Sequence, residues 1–144
     1  MASVMDLFSR KIVGWHMSDR MTKELVLQAL KQAYGRQKPD KGLLHHSDRG
    51  SQYASLDYQQ QLEIYHMVGS MSRKGNCYDN ACIESFHSVL KKELIYLNTY
   101  ETREQAKQSI FEYIEVFYNN QRIHSSIGYE TPSEKERMYP IKVA

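Results

Sequence analysis

"LLHHSDRGSQY", residues 43–53, is the stretch on which the fold turns. It opens apolar and closes polar. It reads as a short buried strand, its apolar start pointing into a core, that ends on Ser47-Asp48 and runs into an Arg-Gly turn. An aspartate in that place has two readings. One is ordinary turn or cap chemistry, because Asp and Gly dominate loops for local backbone reasons. The other is a metal ligand at the C-terminal edge of a sheet, where open α/β folds place their sites. The stretch alone leaves both open.

Outward from it, periodicity predicts alternating elements. Residues 3–8 and 12–18 read as two strands of an antiparallel hairpin around "SRK". Thr22 is a candidate cap for a helix over 23–34, with Gly35 as its stop. A helix over 55–64 capped by Ser55 follows, then a strand over 66–72 and a polar Gly-Asn loop over 73–80. Residues 80–97 carry Ile83, Phe86, Leu90, Leu94 and Leu97 at a repeat of three and four. A second long helix spans 101–119, starting at Thr99 or Glu101, with Ala106, Ile110, Tyr113, Ile114 and Phe117 on one face. The last 25 residues are polar and broken by Pro132 and Pro140. The order β-β-α-β-α-β-α-α is that of one mixed α/β domain.

Composition narrows the class. The 144 residues are enough for a real core, and 41% hydrophobic with 25% charged is ordinary for a globular chain. No apolar run approaches the ~18 residues of a membrane span, and "MASVMDLFSRK" has no h-region behind a basic flank, so no secretion signal is expected in it. A net charge of +2 tilts weakly toward an anionic partner. Cys77 and Cys82 lack the further ligands of a zinc site, and two thiols suit a reducing cytosol.

Glu84 lies about 100° from Ile83 on the helical wheel, at the edge of the apolar stripe. Asn80, His87 and Lys91 fall on that same flank. A solvated polar flank explains such a group. A site explains it too. Glu84 follows Asp48 with 35 residues between them, and the segment between holds one helix and one strand, enough to return the chain beside its start. Two carboxylates brought together repel unless a cation lies between them. Mg²⁺ takes carboxylate oxygens and acts on phosphates. His45 and His46 alternate faces of their strand, one predicted to pack and the other to face solvent.

"HSDRGSQY", "SRKGNCYDNACIESFHSVLKKE" and "YNNQRIHSSIGYETP" resemble, in order, the catalytic core of bacterial insertion-sequence transposases of the two-frame group, a relative of retroviral integrases. "VMDLFSRKIVGW" is similar as well, so the likeness spans residues 4–136. The resemblance implies an α/β, RNase-H-like fold, a mixed sheet flanked by helices, and a DDE metal-binding triad. It maps the second and last carboxylates to Asp48 and Glu84, and a lysine near the donor DNA end to Lys91. The first aspartate of the pattern lies upstream of the "DLFSR" strand, so no residue is assigned to it. Asp6, Asp19 and Asp40 occupy other places. The expectation is therefore an N-terminally truncated core lacking the first strand, with apolar surface left open beside "LLHHS".

The expected organisation is a partial catalytic core over 1–119 and a tail over 120–144 wrapping it. Lys91, Arg73, Lys74, Asn80, Arg122 and His124 are the candidate DNA contacts. Asn119, Arg122 and His124 could equally tie the tail to the core. Expected cofactor and partners are Mg²⁺ or Mn²⁺ in the complete enzyme, transposon-end and target DNA, and a homo-oligomer or full-length transposase. The expected location is the bacterial cytoplasm, at the nucleoid. The alternative is a non-catalytic module that binds DNA or transposase.

Overall fold

Short polar side chains set the chain's first turn. The computed structural model describes residues 1–139, and of Cys77 only the backbone; Pro140 and the rest of the predicted tail lie outside the described residues. β1 (Ala2–Met5) and β2 (Ile12–His16) form a two-stranded sheet. The connection between them is too short for a crossover, so the strands run antiparallel. Asp6 builds the connection. Its carboxylate accepts the N–H groups of Phe8 and Ser9 and the Ser9 hydroxyl, and its own N–H donates to the Lys11 carbonyl at 2.9 Å. Asp6 is thereby a turn former.

β2 passes close to α1 (Lys23–Gln37). A Cβ on Gly14 would land on the Ala29 carbonyl oxygen and within 2.7 Å of the Ala33 nitrogen, so only glycine permits this approach. The helix does not stop at Gly35 as predicted. It runs to Gln37 and closes on Lys38 in the left-handed region (φ 43°), whose N–H returns to the Tyr34 carbonyl at 2.8 Å. Pro39 enforces that end, because the residue before a proline is driven out of the helical region. Gly35 is then an exposed glycine in the last turn of the helix, with nothing within 4 Å of the place a Cβ would occupy. Gly35→Ala should raise stability by about 0.5–1 kcal/mol in urea unfolding, through the entropy of the unfolded chain.

β3 (Leu44–Ser47) pairs in parallel with β4 (Val68–Met71), Leu44 opposite Val68 and Ser47 opposite Met71. α2 (Leu56–Ile64) is the crossover, and Ser55 caps it by accepting the Tyr58 N–H at 3.3 Å. The prediction of a buried β3 is corrected. Leu43, Leu44 and Val68 are 47%, 64% and 54% exposed. Parallel strands are apolar because both faces are normally covered. Here β3–β4 is a two-stranded sheet separate from β1–β2, with no third strand beside it among the described residues. Apolar surface beside "LLHHS" is open, as the resemblance implied.

The backbone divides into two compact units, Met1–Val4 with Val13–Glu84, and Met5–Ile12 with the chain from Ser85 onward. In the first, Ala2, Leu25, Val26, Leu27, Ala29, Leu30, Tyr58 and Leu62 form the core. In the second, Ile12, Phe86, Leu90, Ile110, Tyr113, Ile114, Tyr118 and Ile127 are buried. The Phe86 and Tyr118 rings meet edge to face at 4.8 Å.

The two long predicted helices are interrupted. A 3₁₀ turn (Cys77–Asn80) leads into α3 (Ala81–Glu93), and a second one (Ile95–Leu97) follows, leaving Leu97 73% exposed. The next helix is capped by Thr102, whose hydroxyl accepts the Gln105 N–H, and not by Thr99 or Glu101. α4 (Arg103–Glu112) then widens into a π-helical turn over Tyr113–Tyr118. That turn delivers Asn119, 2% exposed, to Ile12. The Asn119 carbonyl oxygen accepts the Ile12 N–H at 2.9 Å, and its amide donates to the Ile12 carbonyl at 3.0 Å. The tail holds α5 (Pro132–Arg137), opened by a capping box between Thr131 and Glu134.

Candidate functional site

Asp48 stands just past the end of β3 and is exposed. Its Oδ1 accepts the Gly50 N–H at 2.6 Å, so the turn reading is realised in its geometry. A Cβ on Gly50 would come within 2.8 Å of that oxygen, so glycine lets the backbone fold under the carboxylate. Tyr53 packs in the same turn. Burial pushes its phenol up, and the Asp48 charge adds to that.

Asp48 opens onto a cleft of about 440 Å³ lined also by Arg49, Arg73, Lys74, Asn76 and Asn80. Three cations and two amides around one carboxylate make a surface suited to phosphate oxygens. Lys74 is exposed on this rim. Arg73 is partly committed. Its guanidinium forks onto Asp79 at 3.1 and 3.3 Å, which holds the Asp79 carboxyl below its usual range. Asn80 donates its amide to the Ser72 hydroxyl at 2.6 Å. Glu84 lies one turn further on, exposed, in the first turn of α3. It is not among the residues lining the cleft.

The two strand histidines do point to opposite sides, but neither faces solvent freely. His45 Nε2 lies 2.8 Å from the buried Tyr58 hydroxyl, and burial lowers its imidazole to about 4. His46 meets Ser70 at 3.0 Å and Ser72 at 3.3 Å.

The other candidates belong to the second unit. Lys91 is exposed on α3, two turns after Glu84. Arg122 forks onto Glu93 through Nε and Nη2, at 2.8–3.0 Å, and the Tyr113 hydroxyl donates to the same carboxylate at 2.6 Å. Arg122 accordingly holds the Glu93 carboxyl below its ordinary range. His124 packs edge to face on Tyr118 at 4.9 Å, and burial with the nearby Arg122 charge lowers it to about 4. This geometry favours the tail-anchoring alternative for Asn119, Arg122 and His124. Sequence reasoning assigns no role to Ser72, Arg49 and Asn76, although all three lie in the motifs that carry the resemblance. A serine at a strand end carries no periodic signal, and its burial is a tertiary outcome.

Asp48 and Glu84 are hard oxygen donors of the type Mg²⁺ takes. Among the described residues, however, no group of three or more His, Cys, Asp or Glu side chains gathers into a metal-holding cluster. The donor chemistry of these two carboxylates fits a divalent ion. No helix among the described residues is long and apolar enough to cross a membrane.

The chain's sequence and fold have known counterparts. The integrase core domain family matches residues 1–77, and a second integrase core domain family matches residues 84–138, so Asp48 falls in one match and Glu84 opens the other. The chain belongs to the integrase core domain family. It is 52% identical over 132 residues to the transposase for insertion sequence element IS904 of Lactococcus lactis, covering 92% of this chain and 52% of that protein. It is 47% identical over 136 residues to transposase InsF for insertion sequence IS3A of Escherichia coli, covering 94% and 47%. The chain thus spans about half the length of the curated relatives it matches. Its fold matches a chain of the simian T-cell lymphotropic virus intasome in complex with PP2A regulatory subunit B56 gamma, with TM-score 0.72, 17% identity, and coverage of 97% of this chain and 50% of that one. It also matches the HTLV-2 integrase catalytic core domain in complex with magnesium, in trimeric form, with TM-score 0.63, 16% identity, and coverage of 90% and 79%. The fold is RNase-H-like.

Proposed function

We propose that this chain contributes the second and last carboxylates, Asp48 and Glu84, of a DNA strand-transfer centre of the DDE transposase type. The observation that carries the reading is the cleft at the end of β3. There Asp48 shares the lining with Arg49, Arg73 and Lys74, so a polyanionic strand meets positive charge beside a carboxylate. Mg²⁺ or Mn²⁺ held at Asp48 and Glu84 would supply Lewis-acid activation of a phosphodiester. The chain's own residues do the rest. Lys74 draws in the backbone, Arg73 is steadied by Asp79 and presents its remaining donors, and Lys91 takes a phosphate near the DNA end. The partners are transposon-end and target DNA, and further copies of the transposase, in the bacterial cytoplasm.

The shortage of ligands favours a second reading for the chain by itself, that of a DNA-binding module without turnover. The two are separated by a strand-transfer assay in Mg²⁺ or Mn²⁺ run beside a salt-titrated binding assay. The 144-residue chain should bind duplex DNA with an affinity that falls steeply with salt. It should show no strand transfer above background. Lys74→Ala should flatten the log–log salt slope by about 0.9, the loss of one phosphate contact. Turnover by the chain alone would refute the ligand-shortage argument. A salt-independent affinity would refute the phosphate cleft.

A further inference from the structure

Ser72 is 5% exposed and follows the last residue of β4. Each of its polar groups is used, and each reaches a flank of the proposed site. Its N–H donates to the Ser47 carbonyl at 2.9 Å, directly before Asp48. Its carbonyl accepts Arg49 Nε at 2.6 Å, directly after Asp48. Its hydroxyl accepts the Asn80 amide at 2.6 Å, four residues before Glu84. The same hydroxyl lies 3.2 Å from the Ser47 carbonyl and 3.3 Å from His46 Nε2, which gives its proton an acceptor. One small buried residue therefore grips the chain on both sides of one carboxylate and the turn that launches the helix of the other.

We propose that Ser72 is a positioning residue that sets the spacing between Asp48 and Glu84. The inference rests on the reading of those two carboxylates as one site. It differs from simple support of a strand end, because such support would act on β3 and β4 alone. The Ser72 hydroxyl acts on Asn80 as well, and through the 3₁₀ turn on the first turn of α3. Supporting groups of this kind typically change metal affinity or activity by 10–100-fold when removed.

The test uses the whole chain in two measurements on two variants. Ser72→Ala keeps the backbone bonds to Ser47 and Arg49 and removes the hydroxyl. Asn80→Ala removes the same bond from its other end, at a half-buried position that threatens folding less. In amide hydrogen exchange without metal, both variants should exchange about five- to tenfold faster at Asp48–Gly50 and at the first turn of α3, the loss of one hydrogen bond's worth of protection. Acceleration confined to β3 and β4 in both variants would overturn the proposal. In the second measurement, Mn²⁺ is titrated into labelled protein and amide broadening is followed. The unmodified chain should broaden at Gly50 and Glu84 with one common midpoint. In either variant that common midpoint should move to about tenfold higher Mn²⁺. A midpoint unchanged in both variants would also overturn it. Absence of broadening in the unmodified chain would sink the shared-site reading instead, while the exchange result still decides the role of Ser72.

Discussion

Glu84→Gln should abolish strand transfer by about a thousandfold or more when the chain sits in a complete transposase, with DNA affinity almost unchanged. The background is a chimera in which this chain replaces the matching 132 residues of the Lactococcus lactis relative. Glutamine keeps the size of Glu84 and removes the charge. Glu84 is an exposed first-turn residue of α3, so the exchange leaves the fold in place. The readout is joined product per enzyme in Mg²⁺, beside an anisotropy titration of the same DNA. Unchanged turnover in the Glu84→Gln chimera would remove Glu84 from the site. Equal loss of turnover and of DNA affinity would make it a binding residue instead.

The second large effect falls on stability. Asn119→Ala should destabilise the chain by about 2–4 kcal/mol, since it strands the N–H and the carbonyl of buried Ile12 together. Asn119 imitates a strand, offering one donor and one acceptor to a residue 107 positions away. Asn119→Asp should also destabilise, because a carboxylate cannot donate to the Ile12 carbonyl. Urea unfolding measures both. A cost below about 1 kcal/mol for Asn119→Ala would mean that water replaces the amide. With native totals of roughly 5–15 kcal/mol, the expected loss is a large share of the whole.

Local signals in the sequence translate well into structure. The Ser55 cap, α2 and the strand β4 follow from short-range chemistry that the fold leaves intact. Motif order places the candidate carboxylates, and the structure puts Asp48 at a strand end and Glu84 on a helix. What misleads is everything that depends on distant partners. Leu44 reads as buried because parallel strands usually are, yet no third strand among the described residues covers it. Gly35 reads as a helix stop, but α1 continues to Gln37, and Pro39 decides the end through Lys38. Arg122 reads equally as a DNA contact or as a tie between tail and core, and only the folded chain shows its guanidinium forked onto Glu93, 29 positions earlier. Ser72 sits at the head of a resemblance motif but carries no sign of its role, because burial gives a serine its importance only after the chain has folded.

The wide turn at Tyr113–Tyr118 fixes the length of its segment as firmly as any side chain fixes an identity. A π-helical turn is an α-helix with one residue inserted, and the insertion advances whatever follows by about 100° around the axis. Asn119 owes its direction to that rotation. Losing one codon anywhere in the turn would leave a smoother, intrinsically better helix and swing Asn119 away from Ile12. The exposed Val116 is open to exchange of residue type. The turn should therefore tolerate a change of residue type far better than an insertion or deletion.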